Sequence, residues 1–82
     1  MKLIGIYKIQ SRKKPNRCYI GSSVNIYERE RTHLSHLRKG IHHSRKMQRH
    51  FNKYGESDLT FTVLTECDKE DLIKMEQYYI DI

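Results

Sequence analysis

The chain has 82 residues, enough for one small domain that buries about 60 to 65% of the surface its unfolded form exposes, so its core is modest. Hydrophobic residues make up 37% and recur at periodic positions, which argues against disorder, and no apolar run approaches the roughly 18 residues of a membrane span. Sixteen Lys plus Arg against ten Asp plus Glu leave a net charge of +6 and an isoelectric point near 9.5, the electrostatic footprint of a nucleic-acid binder.

Leu3 to Ile9 alternates as a strand, the polar run SRKKPNR supplies a turn, and Cys18 to Ser22 reads as a second strand. The resulting hairpin carries GIY (Gly5 to Tyr7) on one strand and CYIG (Cys18 to Gly21) on the other. Met1 to Ile9 lacks the long apolar stretch of a signal peptide, so a cytoplasmic location is expected. Asn25 can cap a first helix with Glu28 in capping-box position, running to about Lys39 and stopping at Gly40. On its wheel Tyr27, Leu34, Leu37 and Ile41 share an apolar stripe, with Arg29, His33 and His36 on a polar strip beside it. Ser44 can cap a second helix, RKMQRHFNKY, ended by Gly55. Leu59 to Cys67 alternates as a third strand, and from Asp68 an acid-led helix continues to Ile82. The order β-β-α-α-β-α predicts an α+β fold, a small three-stranded antiparallel sheet flanked by three helices, as a single domain over residues 1–82.

Several residues could carry chemistry. Arg29 and His33, four apart on one helix, project together; a guanidinium fits a phosphate and a histidine beside it can move a proton. The second helix puts Met47, Phe51 and Tyr54 on one side and Arg45, Lys46, Arg49 and Lys53 on the other, a stripe able to track a phosphate backbone or to serve simply as a solvated face. In the last helix Glu76 falls in the middle of the apolar face formed by Leu72, Ile73, Tyr79 and Ile80. A carboxylate so placed needs a partner, either an ion pair such as Arg29 or a hard divalent cation. The spacings in HLSH and HH match no structural zinc pattern, and Cys18 and Cys67, far apart, read as buried reduced thiols.

GIY, then YIG, then an arginine helix (ERERTH), then a glutamate in a late helix resembles the GIY-YIG nuclease family, and the ordered set spans nearly the whole chain. The segment GIHHSRKMQRHFNKYGE is similar to the phage and group I intron homing endonucleases of that family. The resemblance implies a DNA endonuclease acting as a monomer on double-stranded DNA with one Mg²⁺, for which Mn²⁺ can substitute. It implies roles for Tyr7 as general base, Tyr19 as the residue positioning water or phosphate, and Arg29 on the scissile phosphate. His33 and His42 match site histidines, with His43 a possible substitute for His42, and Glu76 matches the metal-binding glutamate. Against that pattern the sequence ends before the family's last short segment and without a separate DNA-binding region, so a catalytic module or a degenerate DNA-binding module is expected. A phenol with an ordinary pKa of about 10 also needs help to act as a base near neutral pH.

Overall fold

In the computed structural model, which describes residues 3–81, the central strand is β1 (Gly5–Ser11). It pairs antiparallel with β2 (Cys18–Ser23) on one side and with β3 (Leu59–Glu66) on the other, giving the order β2-β1-β3. Helices α1 (Ile26–Lys39), α2 (Arg45–Tyr54) and α3 (Leu72–Asp81) complete the expected β-β-α-α-β-α order. The largest boundary shift is at α3, because Lys69–Asp71 forms a 3-10 turn and the α-helix starts only at Leu72. Ile82, the last position of the expected helix, lies outside the described residues, as do Met1 and Lys2.

As the middle strand, β1 is covered on both faces: Ile6, Tyr7 and Ile9 are 0%, 2% and 4% exposed. Tyr7 and Ile9 form the core with Ile26 of α1, with Met47, Leu59 and Phe61 packed around them. Full burial of such a side chain contributes about 1.5–3 kcal/mol, so these few residues supply most of what a small core can offer. The helix ends follow local rules. Asn25 Oδ1 accepts the Glu28 N–H, while the Asn25 side-chain amide donates to the Glu28 carboxylate. At the other end Gly40 is left-handed (φ 75°) and turns the chain towards α2, where Ser44 Oγ accepts the Met47 N–H.

Three expectations from the helical wheels and composition are corrected. In α1 the buried stripe is Ile26, His33 and Leu37, whereas Tyr27 and Ile41 are 54% and 63% exposed. A histidine can lie on that stripe because both of its ring nitrogens are hydrogen-bonded. In α3 Leu72 is buried and Met75, Glu76 and Tyr79 are half-buried, while Ile73 (84%) and Ile80 (53%) face outward. Cys18 is exposed rather than buried, since it opens β2 on the sheet edge, and Cys67 is half-buried.

A second polar cluster fixes the β1–β2 loop. The buried Asp58 carboxylate accepts from Ser11 Oγ and His50 Nε2, both at 2.6 Å, and from the Lys13 backbone N–H at 2.9 Å. The Asp58 carbonyl also takes the Arg12 N–H, and Arg17 donates to His50 Nδ1 at 3.3 Å. One acid thereby ties the hairpin loop, α2 and the start of β3 together. The Ser11 hydrogen bond first, then those from His50 and Lys13, hold its carboxyl down at about 2.

Candidate active site

The hairpin register explains why each strand needs its motif. Tyr7 lies opposite Gly21 and Ile9 opposite Tyr19, so by strand alternation Tyr7, Tyr19 and Gly21 share a face. A Cβ on Gly21 would fall onto Oη and Cζ of Tyr7, so the phenol can lie where it does only over a glycine. On the other side, a Cβ on Gly5 would strike the Thr65 carbonyl oxygen of β3. The β1–β3 register shifts here, from Ile6 opposite Thr65 to Tyr7 opposite Val63, a bulge of the kind found beside active sites.

The Tyr7 ring stacks on Phe61 at 5.0 Å and meets the edge of His33 at 5.6 Å. Its Oη lies 2.7 Å from His33 Nε2, and His33 Nδ1 lies 2.7 Å from His42 Nε2. His42 Nδ1 in turn accepts the Ser44 backbone N–H at 3.0 Å. A backbone N–H can only donate, so His42 carries its proton on Nε2 and donates to His33 Nδ1. Neutral His33 therefore carries its proton on Nε2 and points it at the Tyr7 oxygen. The chain of three hydrogen bonds has one direction, and it ends by placing a donor on the phenol.

Electrostatics agree with neutral rings. Burial, followed by the neighbouring His42, His43, Arg29 and His36, pushes His33 down to about 4. Burial and His43 likewise lower His42. Tyr7 is raised above its ordinary range, chiefly by burial and then by Tyr19 and Glu76, while the Arg29 charge pulls it back. Tyr19 is raised by burial and Glu76 and lowered by Arg29. The charges of Arg29 on α1 and Glu76 on α3 thus both reach the two phenols, and the structure gathers Tyr7, Tyr19, Arg29, His33, His42 and Glu76 around one locus.

Of the two partners open to Glu76, neither Arg29 nor any other cation takes it as an ion pair among the described residues, where the ion pairs are Arg38–Glu56 and His50–Asp58. Its Oε1 accepts from Ser22 Oγ at 2.5 Å. No group of three His, Cys, Asp or Glu able to hold a metal occurs among those residues. His43 joins the site alongside His42 rather than in place of it: its Nε2 is 3.4 Å from Tyr19 Oη and its ring stacks on His42 at 4.4 Å. Arg45, Lys46, Arg49 and Lys53 are all exposed on α2. Ser22, Ser44 and Gln48 carry no sequence signal for the site beyond the Ser44 helix cap, yet Gln48 accepts the His42 N–H and donates to the Leu37 carbonyl, holding the α1–α2 link in place.

The GIY-YIG catalytic domain family matches residues 3–82. The chain is 36% identical over 78 residues to Intron-associated endonuclease 1 of Enterobacteria phage T4, covering 93% of this chain but 31% of that protein, so it spans about a third of that relative's length. A shorter match, 47% over 36 residues and 44% of the chain, is to the structure-specific endonuclease subunit SLX1 of Yarrowia lipolytica, of which it covers 12%. Two solved structures of the catalytic domain of the homing endonuclease I-TevI superpose with TM-scores of 0.87 and 0.86 at 32% identity, covering 96% and 95% of this chain and 81% and 85% of theirs. No helix among the described residues is long and apolar enough to cross a membrane. By its fold, its hairpin motifs and its family match, the chain belongs to the GIY-YIG endonuclease family.

Proposed function

We propose that the chain is the divalent-metal-dependent catalytic module of a homing endonuclease, hydrolysing phosphodiester bonds of double-stranded DNA as a monomer in the cytoplasm of a bacterial or phage-infected cell. The observation that carries this reading is the directed chain from the Ser44 N–H through His42 and His33 to the Tyr7 oxygen. A donor fixed on a phenol stabilises the phenolate, the form in which Tyr7 can take a proton from water. His33 cannot serve as the acceptor for the Tyr7 proton while His42 is locked in this tautomer, so its part is to hold the developed negative charge.

Arg29 offers a planar fork to the scissile phosphate, whose oxygens gain charge as the attacking and leaving oxygens line up. Tyr19, 6.4 Å from Tyr7 between ring centres, orients water or phosphate beside it. The donor set at Glu76, one half-buried carboxylate with Ser22 on one of its oxygens, suits Mg²⁺, which needs few protein ligands and keeps several waters. When bound there, Mg²⁺, or Mn²⁺ in its stead, would stabilise charge on the phosphate and offset the Glu76 charge that raises both phenols.

The test is nicking of supercoiled plasmid by the purified domain with Mg²⁺ or with EDTA, repeated for Arg29→Ala and Glu76→Ala. Metal-dependent nicking lost in both variants supports the proposal. DNA binding with no nicking under any condition would instead make the domain a binding module.

A further inference from the structure

The run SRKKPNR is a turn by sequence, and the structure makes it one wall of a groove. Asp58 pins this loop through Ser11, Lys13 and Arg12, so its cations stand on a fixed frame. Facing it is α2, and between the two lies a cleft of about 710 Å³ whose lining, among the described residues, includes Arg17, Lys46, Arg49 and Lys53 and no Asp or Glu. Tyr54 joins the walls: Lys13 of the loop and Lys53 of α2 lie 5.6 and 5.3 Å from its ring centre. Glu56 is paired with Arg38, and the Asp58 carboxylate, which meets Arg17 only through His50, offsets a part of the charge of the four lining cations, so the cleft keeps an excess of positive charge. Tyr19 also lines the cleft, which makes it continuous with the candidate active site.

We infer that this cleft is a track for the DNA phosphate backbone flanking the cut, with Arg17 of the hairpin loop as a phosphate contact opposite Lys46, Arg49 and Lys53. The inference rests on the reading of the domain as DNA-directed, and it redraws the binding face. Arg45, on the same helix, does not line the cleft, whereas Arg17, on a different element, does. Its guanidinium is steadied by His50 Nδ1, whose other nitrogen is held by Asp58. An anion between the walls would relieve the crowding of like charge that the fold enforces there.

The experiment measures affinity for a duplex of unrelated sequence in EDTA over a range of salt concentrations, so that its result does not depend on cleavage. The unmodified domain is compared with Arg17→Ala, Lys46→Ala, Arg49→Ala and Arg45→Ala. Each phosphate contact contributes roughly 0.9 to the slope of log affinity against log salt, so each cleft variant should lower that slope by about 1 while Arg45→Ala leaves it unchanged. Cys18 is exposed and lines the cleft, so in a Cys67→Ser background its alkylation with N-ethylmaleimide should weaken binding about tenfold or more by blocking the track. Equal slope losses at Arg45 and Arg49, or no loss at Arg17 together with full binding after alkylation, would overturn the inference. A domain that binds with these slopes but never nicks plasmid would sink the endonuclease proposal and leave the cleft standing.

Discussion

Gly21 shows how much of this site depends on one missing carbon. Tyr7 is buried, stacked on Phe61 and bonded to His33, so it has nowhere to retreat from a new Cβ. Gly21→Ala is expected to leave the hairpin paired but displace the phenol, and a shift of about 1 Å at a reacting group can cost about 100-fold in rate. Circular dichroism alongside single-turnover cleavage separates the two effects. Tyr7 itself sets a pH dependence: because its pKa is raised, cleavage should climb by about tenfold per pH unit above neutrality, and Tyr7→Phe should lose that limb with a loss of about 100- to 10,000-fold. A flat profile would remove Tyr7 as the base. At the acid end, an unfolded histidine binds its proton near pH 6.5, whereas native His33 resists to about 4. The unfolded state therefore holds more protons in that window, and stability present at neutral pH is lost as pH falls through it, on the order of 3 kcal/mol. Asp58, held at about 2, adds a second loss below the ordinary carboxylate range. Urea midpoints measured from about pH 7 down to about pH 2 should fall in these two steps.

Among the elements, the helix ends were readable because capping is local: Asn25, Gly40 and Ser44 act on neighbours within a few residues. The hairpin was readable too, from alternation broken by a polar run. What the sequence could not show is burial decided by distant partners. His33 sits in the core because Tyr7, 26 positions away, and His42 satisfy its nitrogens, and a wheel counts it only as polar. His50 and Asp58 are hidden for the same reason, and with them the role of the hairpin loop. The site tyrosines stand out only through the ordered motif, whereas Glu76 is marked by the apolar face around it and Arg29 by its four-residue spacing from His33, and the motif adds their expected roles. If Asp58 organises the loop as described, Asp58→Asn should weaken its hold on Ser11 and His50, lower the melting midpoint, and admit trypsin at Arg12, Lys13, Lys14 or Arg17. Cleavage first in α3 rather than the loop would contradict that role.

For the molecule as a whole, the net charge of +6 is not spread evenly, because Arg17, Lys46, Arg49 and Lys53 line one cleft beside α2 while Glu56 is paired with Arg38. The proposed metal and the fold should also be decoupled. Glu76 is already held by Ser22, so EDTA is expected to stop cleavage while moving the melting midpoint by less than about 2 °C, unlike a domain that folds around its ion. Differential scanning calorimetry with and without Mg²⁺ measures this. Ser44 links the two halves of the molecule in another way. Its hydroxyl starts α2 and its backbone N–H fixes the histidine tautomer, so a single residue serves both as the first turn's anchor and as the origin of the hydrogen-bond chain to Tyr7, the proposed base. A helix terminus frays more readily than a domain unfolds. On heating, the first turn of α2 should therefore open while the sheet is intact, and catalysis should fail at a lower temperature than the fold, making this a heat-labile enzyme on a sturdier scaffold.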